Sequence, residues 1–560
     1  MLDTMTSKLL RSVVALACCL VAYPALAHRL GDPLEAAATA PAESAPVERV
    51  SGIVHRLTID DRVAGLVVQV VSLEQDDGKA VLLQSAQAAE LVADSRVEVT
   101  GRRNGKALFA SGIRKLADAG PRGPQKAKPA ARAEGKLALL HADYFAEGRS
   151  EFLFEVHDSA GEVTPLRFHV VPEALQRGMQ VVVEGHASAD ATGLVPDTVT
   201  ILALPPAGNP KGLAKAVTTN NALVILMTFS DSPAVPFTPA NVQAVFAGGP
   251  GSGSVVEYFK EASFGQQLLN ATVTGWLPTN VPAPAGCDWT KMGQLGRNAA
   301  VSAGYSPASY QNLVYVFPQV SACGWLGLAY ISGNGVWING RNTTPVYGHE
   351  LGHNLGLLHA ASLRCSGGVA IGGSCSVSEY GDPFDIMGNQ SAMHVNAAQK
   401  LDLGWIAAGT VATYGTGTAT YVLNPIENAG GSLYAVKIAA AANRTYWLEY
   451  RQPIGFDAAL SSFPNNGAQI RVASPFETLC TGCDSFSDDT ELLDMTPGTA
   501  SFTDAALVVG QTFTDSAYGI SIAVLGATGT ALTVRVSPPS TIAATTTSIT
   551  SSLNPAPAGV

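Results

Sequence analysis

The sequence predicts a multidomain protein: an α/β domain with a mixed sheet and one histidine-bearing helix, flanked by β-rich N-terminal modules and a C-terminal β-sandwich. Three observations predict it. Residues 45–205 repeat a strand-rich pattern, residues 219–408 alternate strand and helix patterns, and residues beyond 406 return to short β runs. At 560 residues the chain exceeds one ordinary domain. Apolar residues make up 47% and charged residues 14%, which supplies ample core. A formal net charge of −11 and no Lys/Arg cluster argue against a nucleic-acid partner.

Residues 1–27 read as an export signal. Lys8 and Arg11 give the positive flank, "SVVALACCLVAYPALA" the apolar core, and Ala25-Leu26-Ala27 a small-x-small cleavage site. A membrane anchor would need roughly 20 apolar residues, more than this run offers. No later stretch is long and apolar enough to cross a membrane. A secreted, extracellular, monomeric protein is the expectation. Cys18 and Cys19 leave with the signal, and an even set remains: Cys287, Cys323, Cys365, Cys375, Cys480 and Cys483. In an exported chain these point to disulfides, and proximity favours Cys287–Cys323, Cys365–Cys375 and Cys480–Cys483.

Within 28–116 and 134–205 lie two related β modules, small barrels or sandwiches with an OB-like pattern, joined by a Pro/Ala/Lys linker at 117–133. "SGIVHRLTI" near 51 matches "EGKLALLHA" near 134. "LVADSRVEVTG" ends at Gly101 and "LQRGMQVVVEG" at Gly185, an offset of 84 residues. A polar Pro/Gly segment at 206–221 follows, with Lys211 and Lys215 open to a processing protease.

The α/β domain spans 222–408. "ALVILMTF" (222–229) and "NLVYVFP" (312–318) read as buried strands, "SVVEYFKEASFGQQLL" (254–269) as a helix, and "GLAYISGNGVWING" (327–340) as a strand or hairpin. "SLYAVKIAA", "TYWLEYRQ" and "ALTVRVS" place a β domain over 409–538. The Thr/Ser/Pro tail 539–560 resembles the opening strand of bacterial Ig-like modules.

Chemistry concentrates in "YGHELGHNLGLLH" (347–359), which holds three of the four histidines beyond His186. Thr344-Pro345 starts a helix, with Thr344 able to cap it. His349 and His353, four apart, then project from one face and can reach a zinc ion. Glu350 sits beside the metal but is angled away from ligation, placed to take a proton from water. Gly356 permits a sharp reversal that brings back His359 as the third nitrogen. Three protein ligands leave a fourth position open, the mark of a catalytic zinc.

HExxHxxGxxH is the pattern of the metzincin metallopeptidases, and Met387, 28 residues after His359 in "EYGDPFDIMGN", resembles their methionine turn. Together with "SVVEYFKEASFGQQLL", "GLAYISGNGVWING", "LGW" and "YWLEYRQPIGFD", residues 222–455 resemble the gametolysin family of secreted metzincins, here of bacterial type. The resemblance implies a Zn2+-dependent endopeptidase that acts on a protein or peptide substrate. It assigns His349, His353 and His359 as ligands and Glu350 as general base. It also implies an antiparallel edge strand, placed in 327–339, that holds substrate extended.

Two departures matter. Where some metzincins carry a tyrosine two residues after the turn methionine, this chain has Asn389. Tyr380 and Tyr347 remain as spare candidates for oxyanion stabilisation, or else as packing aromatics. No cysteine lies between His28 and Gly286, so a cysteine from that region cannot restrain the site. If residues 28 to about 215 are a pro-region, they act by steric cover or through another ligand, such as a carboxylate or histidine. Cleavage in 206–219 would remove them. Permanent binding modules are the competing reading. The acidic loop "CDSFSDDTELLD" (483–494) could bind calcium. A surface adhesion protein with a weakly active or inactive metzincin domain is the rival function, and an intact Glu350 argues against it.

Overall fold

The computed structural model describes residues 45–104, 107–116, 130–172, 174–188, 192–205, 217–388, 391–441, 444–473 and 488–538. The expected signal peptide, the segment 206–216, Asn389, Cys480, Cys483 and the tail lie outside the described residues.

Period-two burial shapes the N-terminal half. In β1 (Val47–Asp61), Val50, Val54, Leu57 and Ile59 turn inward between more exposed neighbours. With β2 (Leu66–Gln75), β3 (Ala80–Gln84), β4 (Arg96–Asn104) and β5 (Ala107–Lys115) it closes a barrel. The order is β1-β2-β3-β5-β4 and back to β1, with β3 and β5 parallel. A second barrel repeats that order with β6 (Ala130–Tyr144), β7 (Arg149–His157), β8 (Val163–Leu166), β9 (Gln180–Ala187) and β10 (Leu194–Ala203). Glycines mark the repeat. A Cβ at Gly52 or Gly135 would strike the carbonyl of Glu74 or His157 on the facing strand, and one at Gly101 or Gly185 that of Phe109 or Val195. Parallel pairing of β1 with β10, Thr58 opposite Thr198, joins the barrels.

The middle of the chain builds a mixed sheet. β11 (Thr218–Thr228), β12 (Gln267–Pro278), β13 (Asn312–Phe317) and β15 (Gly335–Asn339) run parallel in the order β12-β11-β13-β15. β14 (Gly327–Tyr330) lies antiparallel beside β15, inside the window where the edge strand was expected. Every residue of β13 and β15 is buried, because helices cover both faces. α1 (Pro239–Ala247), α2 (Val255–Ala262) and α4 (Thr344–Leu355) pack on Val224, Leu226, Val314 and Ile338. α3 (Trp289–Ser302) packs on Leu223, Ile225, Tyr315 and Trp337 from the other side. Against the expected helix over 254–269, α2 stops at Ala262. Phe264 and Gly265 take positive φ (57° and 78°), the chain reverses, and Gln267 opens β12.

β14 is not a free edge. Its outer side pairs with β6, so both barrels and the mixed sheet form one 15-stranded sheet, with β9 off its main path.

Beyond α4 the described residues are mostly β, with α5 (Ala397–Asp402) and short 3-10 helices at Ala408–Thr410 and Gly455–Ser462. β16 (His359–Cys365), β17 (Cys375–Ser378), β18 (Val411–Tyr414), β20 (Ala435–Ala441), β21 (Arg444–Tyr450), β22 (Gly467–Ala473), β23 (Asp488–Leu493) and β24 (Leu507–Val508) make one sheet. β19 (Ala419–Leu423), β25 (Thr512–Asp515), β26 (Ile520–Thr528) and β27 (Ala531–Ser537) make another, packed on the first through Tyr446, Leu448, Ile522 and Val534. Because β16 and β17 belong to it, the first sheet crosses residue 408. Cys287–Cys323 and Cys365–Cys375 are disulfides, as expected. The multi-sheet, mostly β organisation is the one the sequence predicts.

Candidate metal centre

α4 begins differently from expectation. Its N-cap is Thr343 with no side-chain cap bond, while the Thr344 hydroxyl donates 2.8 Å to the Gly253 carbonyl. The helix ends as expected. Gly356 adopts φ 106°, and a Cβ there would also collide with Ser332. The reversed chain enters β16 at His359, which is fully buried.

His349, His353 and His359 come together with Nε2 atoms facing inward. Each ring is fixed from behind through Nδ1: His349 to the Ile386 carbonyl (2.8 Å), His353 to the Leu357 carbonyl (2.8 Å) and His359 to a Glu379 carboxylate oxygen (3.1 Å). Such backing sets the tautomer that leaves Nε2 free for a metal. Nε2 of His349 and His359 are 3.2 Å apart. Two nitrogens bound tetrahedrally to zinc at about 2.0–2.1 Å would stand roughly 3.3 Å apart. Nε2 of His353 and both carboxylate oxygens of Glu350 are buried and make no hydrogen bond. Buried polar atoms without partners are costly unless something unshown satisfies them. This donor set fits zinc.

Glu350 fits because of a glycine across the sheet. A Cβ at Gly327 on β14 would overlap its carboxylate. Met387 lies below: it is fully buried, and its sulfur fills the space where a Cβ of Gly352 would sit. Asp382 and Asp385 shape its loop by accepting the backbone N–H of Phe384 and Met387, each at 2.9 Å. Of the spare tyrosines, Tyr347 is a packing residue against Phe246, with its hydroxyl 3.1 Å from the Asn342 side chain. Tyr380 stands at the site, its ring 4.5 Å from that of His359.

Sequence reasoning missed Asp143. It comes from the end of β6, in the second barrel, and is fully buried. Oδ1 is 3.0 Å from His359 Nε2, 2.9 Å from the Tyr380 hydroxyl and 3.1 Å from His141 Nδ1. Oδ2 faces His353 Nε2 at 3.4 Å and His349 Nε2 at 3.7 Å and makes no hydrogen bond. His141, Asp143, His353 and His359 thus form a potential metal-holding group, and Asp143, His349 and Glu350 another. Nothing in "LLHADYF" distinguishes this Asp, and its partners lie some two hundred residues on.

The electrostatics suit a cation. Burial, then the charge of Asp143, pushes the Glu350 carboxyl well above its usual range. Burial alone would raise Asp143 too, but the surrounding histidines, His141 foremost, hold it well below. Burial depresses His349 strongly. At His359 burial is outweighed by Asp143 and Glu379, which lift the imidazole to about 9. The calcium loop fares differently. Residues 483–487 lie outside the described residues, Asp489 accepts the Leu358 N–H (3.0 Å), and Asp494 accepts that of Thr496 (2.9 Å). Among the described residues these carboxylates belong to no potential cation-holding group.

One solved structure with some likeness, titled "Structure of a chaperone-substrate complex", is 14% identical with a TM-score of 0.20. The match covers 45% of this chain and 36% of that one, so it spans about a third of that protein, and a likeness so low carries no argument. No curated protein matches. The model of the gametolysin peptidases, family M11, matches residues 221–462, a segment that contains α4, His359 and Met387. That match takes in the three histidines, Glu350 and Met387, so residues 221–462 are similar to the gametolysin metallopeptidases.

Proposed function

We propose that the protein is a secreted zinc endopeptidase of the metzincin type, cleaving extracellular or cell-wall proteins. The observation that carries it is the convergence of three imidazole Nε2 atoms beside a buried, unpartnered glutamate. His349, His353 and His359 would hold the ion. When bound, zinc supplies Lewis acidity to a water and to the scissile carbonyl. Glu350 would take a proton from a water there and hand it to the departing amine, a role its buried, unpartnered oxygens prepare. Tyr380 presents a hydroxyl to the same centre, where it can donate to a developing oxyanion. β14, whose outer side β6 occupies in this structure, would offer backbone groups to an extended substrate once β6 is withdrawn. The export signal and the disulfides support an extracellular setting.

Glu350→Gln should keep one zinc per chain, by elemental analysis, while chelator-sensitive casein hydrolysis falls by roughly 10²–10⁴-fold. The measurement is made before and after trypsin processing at Lys211 or Lys215. Zinc-loaded wild type that shows no chelator-sensitive hydrolysis once it has been nicked and separated from its N-terminal fragment in mild urea sinks the reading.

A further inference from the structure

The restraint on this site is written into β6. Four consecutive residues, Leu140 to Asp143, pair with Tyr330 to Gly327 of β14, so the edge that would hold substrate is already filled. The same strand delivers the Asp143 carboxylate among the three imidazoles. Its unpartnered Oδ2 lies 3.4 and 3.7 Å from two Nε2 atoms and its Oδ1 3.0 Å from the third. Those separations match the spacing of ligands around one tetrahedral ion. Three histidines leave one position open, and a fourth donor closes it to water.

The contacts around this strand form a seat rather than a chance touch. Glu379, which backs His359, also accepts the Ser150 N–H at 2.9 Å and the Ser150 hydroxyl. The Tyr380 hydroxyl is shared with the Arg149 carbonyl (3.1 Å) as well as Asp143. Glu155, fully buried on β7, accepts from Trp289 (2.6 Å), Thr290 (2.9 Å) and Tyr330 (2.7 Å). Phe145 packs against His349 and Tyr380. Asp143, a buried carboxylate bonded to Tyr380 and His359 through Oδ1 while Oδ2 faces the Nε2 atoms of His349 and His353 without a partner, has a cation as its natural missing partner.

We propose that Asp143 is the fourth protein ligand of the zinc held by His349, His353 and His359, and that the N-terminal barrels are thereby an inhibitory pro-part rather than permanent binding modules. The inference rests on the metallopeptidase reading above and specifies how that site is restrained. Simple steric cover is not sufficient, because the strand supplies a ligand as well as a lid. Opening requires two events: a break in the chain between Ala203 and Thr218, and withdrawal of β6 from β14.

The test uses the full-length chain loaded with cobalt(II), which accepts the same nitrogen and oxygen ligands and reports its coordination in visible absorption. Acetohydroxamate serves as probe, because it binds only where the fourth position can be vacated. In wild type the spectrum should resist the probe. In Asp143→Ala, and in Asp143→Asn should the alanine variant fail to fold, the bands should shift with affinity at least 100-fold higher. X-ray absorption on the zinc form should show an oxygen ligand in wild type that does not exchange with solvent. Equal hydroxamate affinity in wild type and both variants, with one cobalt bound, overturns Asp143 as ligand and leaves the peptidase reading standing. A chain that binds no cobalt overturns both.

Discussion

Glycine at 327 has a function no side chain could serve. Its missing Cβ is the space into which the Glu350 carboxylate fits, although the two residues belong to different elements. Gly327→Ala should therefore leave zinc content near one per chain yet displace the base, lowering kcat of the processed enzyme by roughly 10²–10³-fold. Elemental analysis together with casein turnover separates this from loss of the metal. Glu379 acts one bond further out, by holding His359 through Nδ1. Glu379→Ala should weaken zinc binding by about 10–100-fold, measured by competition with a chromophoric chelator. The three histidines, Glu350, Gly356 and Met387 were legible because their spacing is local: one helix face, one reversal and one nearby loop. Asp143, Glu379 and Gly327 were not, because their partners are chosen by strand pairing and loop packing that no short window encodes.

Among elements, the methionine loop shows how a short segment is kept in place. Asp382 receives Arg471 of β22 (2.7 Å), and Arg471 also reaches Glu449 of β21 (2.7 Å), all three buried. Asp385 is tied to the Asn396 backbone (2.7 Å) and side chain (2.9 Å) at the start of α5. The loop beneath the histidines is thus fixed by the C-terminal sheet, not by the mixed sheet above it. Removing Arg471 would strand two buried carboxylates, so Arg471→Leu should cost about 3–5 kcal/mol in urea unfolding. Strand and hairpin patterns such as "NLVYVFP" and "GLAYISGNGVWING" read correctly because full burial or a glycine turn marks them. The run at 254–269 did not, since its apolar spacing continues past Ala262 while Phe264 and Gly265 reverse the backbone.

Over the whole molecule, strands rather than linkers join the parts. The two barrels, the mixed sheet and β14 share one hydrogen-bonded path, and β16 passes from the metal centre into the C-terminal sheet. The duplication of the barrels was legible from repeated V-x-V-x-G runs, but their docking through β6 was not, because edge pairing leaves no periodic trace. A nick in 206–216 should consequently leave both fragments together on gel filtration at 0.15 M salt, and urea should separate them before the mixed sheet itself unfolds, followed by tryptophan fluorescence; this salt level is about that of a physiological medium. Among the described residues no helix is long and apolar enough to cross a membrane. The pairing of β6 with β14 has one more consequence, for biogenesis. An open strand edge invites other chains to add to it. The barrels precede β14 in the chain and can be folded when it emerges, so its N–H and C=O groups never need to meet a neighbouring nascent copy. What shields the active centre would then also serve as an intramolecular chaperone, and a chain made without its first two hundred residues would aggregate through β14 before it could be tested for activity.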